Sequence, residues 1–386
     1  MKYSVLFKDF VDSEKLAGLL LLLCTIFSIS VANSYYAEAY NHLWQTILLG
    51  NTVLYWINEG LMAIFFLLIG LELEREIYNG ELSTFKQAIL PAAGALGGMV
   101  VPASIYLIFN FNTQWQSGAG IPMATDIAFA LAMLSLLGNR VPLSLKIFLT
   151  ALAVVDDLGA IIVIAFFYTP HFNWMYAMGA LLVWLLLFIL NRCSINNLIP
   201  YLLGGILLWY CFLHSGIHAS IAGVVLAFVL PSGNGSVLSS AYILQKRLHT
   251  PVALFILPIF ALANTAIQIP SHLLSIFTQP YAIGIGLGLL VGKVLGIFIF
   301  CYAVVKLGLA KLPPGIRLKH IAAIAFFGGV GFTMSIFIAM LAFNDVGTIN
   351  NAKLVIVTAS AISGMLGYFF LKRSIKKSKT VKIKVV

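Results

Sequence analysis

The stretch "TALAVVDDLGAIIVIAFF", residues 150–167, sets Asp156 and Asp157 side by side inside an apolar run. The rest of the chain says which medium surrounds them. Of 386 residues, 61% are hydrophobic and only 9% are charged, whereas a soluble domain carries about 25% charged residues. A soluble protein this apolar could not cover its own surface. The chain therefore reads as an all-α polytopic membrane protein, and the two aspartates lie within one of its membrane helices.

A membrane helix needs roughly 17–25 apolar residues. By that rule about twelve spans follow: 15–32, 53–73, 88–110, 121–138, 144–169, 175–191, 198–213, 217–230, 250–266, 282–305, 320–343 and 352–371. The seventh and eighth are short and divide at "HSGIH", residues 214–218. One integral membrane domain over 1–386 results, with a cytoplasmic lead at 1–14 and a basic tail at 372–386. The longest polar connection is 231–249, with a turn signal at "PSGNGS". The lead is long, carries both signs of charge and has no cleavage site after it, so it introduces a retained span rather than a signal peptide.

Lysine and arginine fall on one side. The connections after spans 2, 4, 6, 8 and 10 hold Lys86, Arg140, Arg192, Lys246 with Arg247, and Lys306 to Lys319; the intervening ones hold none. Of 23 Lys and Arg, only Lys293 and Lys353 break the pattern. The alternation predicts an even number of spans and both termini in the cytoplasm. The net charge of +10 is thus a topology signal facing anionic lipid, not a nucleic-acid footprint. Cys24, Cys193, Cys211 and Cys301 lie in or beside apolar segments without metal-ligand spacing, and read as small hydrophobes.

A charge at the bilayer centre costs about 2.5–3.5 kcal/mol. Asp126, Asp156, Asp157 and Lys293 fall deep in spans 4, 5 and 10, so facing lipid they would together cost on the order of 10 kcal/mol. They must face an interior site and offset one another. One reading is structural: Lys293 neutralises one aspartate and the cluster orients helices. The other is functional: three carboxylates against one ammonium leave negative charge that invites a cation or protons. Adjacent helical residues point about 100° apart, so Asp156 and Asp157 face different partners. Their mutual repulsion makes a site that holds a proton at lower pH and frees an anion at higher pH.

Two spans carry breaks. "GAGIPMATDIAFA", 118–130, has Gly118, Gly120 and Pro122; "FFGGVGFTMSIF", 326–337, has Gly328, Gly329 and Gly331 beside Thr333. The glycines suit either an interrupted helix or close packing of small residues. They occupy matching places if spans 3–5 and 10–12 are inverted repeats, although the two triplets share no clear identity. Paired interrupted spans point to an ion site in secondary transporters. Asp126 and Lys293 suit the partial charges of broken helix ends. Thr125 and freed carbonyls would supply hard oxygen ligands.

The stretches "GLMAIFFLLIGLELEREI" (60–77), "IPMATDIAFALAMLSLLG" (121–138), "VPLSLKIFLTALAVVDDLGAIIVIAFFYT" (141–169), "LHSGIHASIAGV" (213–224), "ILPIFALANTAI" (256–267), "GLLVGKVLGI" (288–297) and "GGVGFTMSIFIA" (328–339) run through nearly the whole chain. Together they resemble the NhaA-type bacterial sodium/proton antiporters. The resemblance implies an electrogenic, pH-regulated exchange of cytoplasmic Na⁺ or Li⁺ for external protons, without a cofactor. It implies that Asp157 and Asp156 bind the metal cation (Na⁺) and the proton, with Thr125 as a neighbouring ligand. Asp126 and Lys293 balance the broken helices, and Lys293 pairs with Asp156 when no cation is bound. Glu72, Arg75, Glu76 and His218 fall at positions of the pH response. The resemblance also implies a homodimer through the loop after span 1.

This chain departs from the pattern at "LQKRLHTPVA", where Gln245 and Lys246 replace an acidic residue and a histidine and only His249 remains. Glu59 stands where the family has aspartate. The rival readings are another proton-coupled transporter of a small solute and an intramembrane aspartyl protease. None of the deep aspartates follows the Gly-x-Gly that such a protease needs.

Overall fold

The computed structural model describes residues 2–168, 172–233, 236, 239–270 and 273–375, with residues 2–14 and 139 described by backbone alone. The tail beyond Ile375 lies outside the described residues. Helix dominates, because in hydrocarbon every backbone amide must find its partner within the segment. We label the helices α1 Lys2–Ala32, α2 Ala37–Gln45, α3 Val53–Asn79, α4 Phe85–Asn110, α5 Ile127–Ser135, α6 Leu143–Phe167, α7 Trp174–Arg192, α8 Leu198–Ser215, α9 Ile221–Ala227, α10 Ser240–Asn264, α11 Leu273–Phe277, α12 Pro280–Lys306, α13 Leu318–Gly328, α14 Phe332–Ala342 and α15 Val346–Ser374.

Among the described residues, ten segments are long and apolar enough to cross a membrane, and α13 with α14 makes an eleventh, bent by 48°. The eighth expected span, 217–230, is the exception: its helix α9 has only seven residues. Hydrogen bonds nevertheless carry it across. His218 at its start reaches the Tyr168 carbonyl at the end of α6. Beyond its other end, Val229 and Leu230 accept from Asn191 at the end of α7. Because the end of α8 meets the start of α7 through Asn173 and Ser215, these two anchors are on opposite faces. Turns at both ends of α9 extend the segment beyond its helix.

The lead joins the first span without interruption, since α1 runs unbroken from Lys2. One further boundary differs from the sequence reading. The ninth span starts at Ser240, not 250, so Gln245, Lys246 and His249 lie on a helix rather than in a connection. Ser239 starts it by accepting from the Tyr242 amide. A polar run reads as loop in sequence, but a helix leaving the membrane is free to continue in water.

The span-3 and span-10 helices, α4 and α12, pack antiparallel, as an inverted pair requires. Asn110 donates to the Pro280 carbonyl at one end, and Cys301 approaches the Leu90 carbonyl near the other. Between these, a methyl on Gly97 would lie 2.2 Å from the Gly296 carbonyl oxygen. Glycine there lets the two backbones touch, which brings Lys293 of α12 to the centre. A wide π turn, Gly288–Gly292, immediately precedes it; such turns recur at functional sites.

Candidate functional site

Span 4 is only partly α-helical. A 3₁₀ helix, Gln116–Met123, leads to extended backbone at Ala124 and Asp126, and α5 follows. Pro122, with no N–H, sits in the 3₁₀ segment. In span 11, α13 ends at Gly328 and α14 begins at Phe332. The two breaks meet: the Asp126 amide donates to the Val330 carbonyl at 2.7 Å. Four half-helix ends therefore converge in the interior.

Each end has a chemical partner. Asp126, 2% exposed, accepts from the Phe129 amide at the start of α5 and from the Thr333 amide and hydroxyl at the start of α14. One carboxylate thus answers two positive N-termini. Lys293 donates to the Met123 carbonyl at the negative end of the 3₁₀ helix. Thr125 Oγ1 lies 2.8 Å from the Gly328 carbonyl at the end of α13.

Lys293 and Thr125 also meet the aspartate pair. Lys293 Nζ is 2.6 Å from Asp156 Oδ2, and Thr125 Oγ1 is 2.7 Å from the same oxygen. All three groups are fully buried. The threonine hydroxyl has one proton, so it can serve Gly328 or Asp156 but not both at once. Asp156 Oδ1 and Asp157 Oδ1 are buried without a hydrogen-bond partner, a costly arrangement for a carboxyl group.

Asp157 points elsewhere, as the helical offset demands. It lines a cavity of about 40 Å³ together with Asp126, Glu72, Thr333 and His249, room for a few waters. The cavity runs from Asp157, 1% exposed, to half-buried His249. Its other walls are apolar side chains of α3, α5, α10 and α14.

The expected pH-response residues separate into three places. Glu72 and His249 share the cavity with Asp157. Arg75 pairs with Glu76 at 3.1 Å, one turn further along α3. His218 belongs to neither group: its Nδ1 is 3.8 Å from Glu59 Oε1 near the opposite end of α3.

The sequence reading missed two serines. Ser360 of α15 accepts from the Phe332 amide at the start of α14, and Ser363 donates to the Phe326 carbonyl near the end of α13. Both are buried. They grip the two sides of the break. A methyl at Gly329 would come within 2.5 Å of Ser363 Oγ and of the Leu289 carbonyl oxygen, so only glycine fits between them. The signal was available: two serines three apart in an otherwise apolar span share one helix face.

A family model described as "Na+/H+ antiporter 1" matches residues 8–371. The chain is 60% identical to the Na(+)/H(+) antiporter NhaA of Flavobacterium psychrophilum, over 98% of each chain. It is 53% identical to that of Cytophaga hutchinsonii, over 98% of this chain and 97% of the relative. With that of Vibrio parahaemolyticus the identity is 46%, over 96% and 98%.

Proposed function

The chain belongs to the Na+/H+ antiporter 1 family, a family of transporters rather than enzymes, and from that premise we propose that it extrudes cytoplasmic Na⁺ or Li⁺ in exchange for external protons at the Asp156–Asp157 pair. One observation carries this reading: two adjacent buried carboxyl groups, one held by Lys293 and Thr125, the other facing a cavity that leads to Glu72 and His249.

Proton and cation compete for the same oxygens. At low cytoplasmic pH the carboxyls stay protonated and cannot take Na⁺. At alkaline pH they ionise, and the cation reaches Asp157 through the cavity. Its positive charge substitutes for the Lys293 ammonium at Asp156, which frees Thr125 to serve the Gly328 carbonyl. The half-helices, joined by hydrogen bonds at their crossing, then swing the site outward. External protons displace the cation and reset the carrier. Two carboxyls taking protons for each sodium make the cycle electrogenic. Glu72 and His249 set its pH response from the cavity, with Arg75 and Glu76 beside them and His218 acting from the far side.

The one-sided lysines and arginines support cytoplasmic termini in a bacterial inner membrane. A homodimer is supported by the hairpin after span 1, in which Ile47–Leu48 pairs with Asn51–Thr52 and Leu49 is 86% exposed. Open strand edges of this kind invite a second copy. Removing residues 46–52 is expected to leave a monomer by light scattering; an intact dimer would place the interface elsewhere.

The central test is Asp157→Asn in inverted vesicles. Adding Na⁺ at alkaline pH should no longer collapse the proton gradient. If it still does, the assignment of Asp157 fails.

A further inference from the structure

On the face that carries the lysine- and arginine-rich connections lies a second, much larger cavity of about 600 Å³. It is formed by the start of α4, the start of α6 and the connection between α12 and α13. It is within the roughly 300–1,000 Å³ range of small-molecule sites. It is also separate from the ion site, whose lining residues it does not share.

Its walls are amphipathic. The floor is apolar and buried: Leu90 is 3% exposed, Phe148 4% and Ala151 1%. Lys86, at the start of α4, and Lys311, in the connection between α12 and α13, both line it and are exposed. The starts of two long helices, at Lys86 and Ser144, also reach the cavity, and no side chain caps either one. Uncapped helix starts offer backbone N–H groups and positive partial charge to an anion. One carboxylate, Glu81, shares the lining; burial and neighbouring Glu76 hold it above the usual carboxylate range, which lessens its opposition to an anion.

The mouth is rimmed by exposed apolar side chains. Leu309 of the lining is 56% exposed, and beside the cavity Phe85 is 83%, Leu143 45% and Leu307 72% exposed. Apolar side chains left open at a helix end are covered by acyl chains. A ligand with an anionic head for the lysines and helix starts, and an apolar body for the floor and mouth, matches every wall. We propose that this cavity binds one anionic phospholipid of the surrounding bilayer, its phosphate between Lys86 and Lys311 and the upper part of its acyl chains over Leu90 and Phe148.

The test uses the full-length protein reconstituted in phosphatidylcholine vesicles with a minority of phosphatidylglycerol, extracted in mild detergent and examined by native mass spectrometry. The wild type should retain one phosphatidylglycerol per chain beyond the Lys86→Gln/Lys311→Gln variant, whose affinity for it falls roughly 30-fold, as two lysine–lipid contacts imply. Glu81→Gln should strengthen retention. Phosphatidylcholine retention should not change. Both lysines are exposed, so the double variant should fold, and unchanged Na⁺-dependent proton exchange would verify that it has. Equal phosphatidylglycerol retention by wild type and variant would overturn the proposal. So would full displacement by inorganic phosphate, which would identify a site for a soluble anion.

Discussion

At the scale of single residues, Lys293 and Asp156 define each other. Breaking a buried pair from one side costs about 3–5 kcal/mol, because the remaining charge has no partner. Lys293→Ala leaves Asp156 with only Thr125, so we expect a stability loss of that order, measured by thermal unfolding in detergent at neutral pH. Adding Asp156→Asn removes the stranded charge and should recover much of it. Strict additivity of the two single losses would mean that the pair is not coupled. Sequence alone placed these charges deep in spans 10 and 5, and their helical offset separated the directions of the two aspartates. It did not reveal that Thr125 and Lys293 share one carboxylate oxygen, since that contact joins three segments far apart in the chain.

At the scale of elements, the site depends on broken helices being held in register. Ser360 and Ser363 do this for span 11 from α15. Each substitution to alanine strands a buried backbone group and should cost about 1–3 kcal/mol. Threonine at either position keeps the hydroxyl and should recover part of the loss. A positioning role also predicts a raised apparent KM for Na⁺ in Ser360→Ala, because the start of α14 and the Asp126 carboxylate move together. An unchanged KM would reduce the serines to packing. Glycine and proline marked both breaks in the sequence, but small-residue packing predicts the same letters. The α4–α12 contact is an example of that alternative, where Gly97 and Gly296 serve close approach within regular helices.

At the scale of the whole molecule, charge and hydropathy gave the architecture, with one short crossing. The α9 segment is too brief to meet any length rule, yet hydrogen bonds to Tyr168 and Asn191 hold the two ends of its stretch beside the end of α6 and the end of α7. Cys193, exposed at the turn after α7, tests that orientation. An impermeant maleimide should label it in inside-out vesicles only, with right-side-out labelling contradicting cytoplasmic termini.

The sequence by itself determined the medium, the approximate number of crossings and the family, because these follow from local composition summed along the chain. Only the tertiary structure decided which helix ends oppose which charges, and that the residues expected to respond to pH stand in three separate places. Those outcomes depend on contacts between segments far apart in the chain, where a displacement of a few ångströms decides whether a hydrogen bond forms.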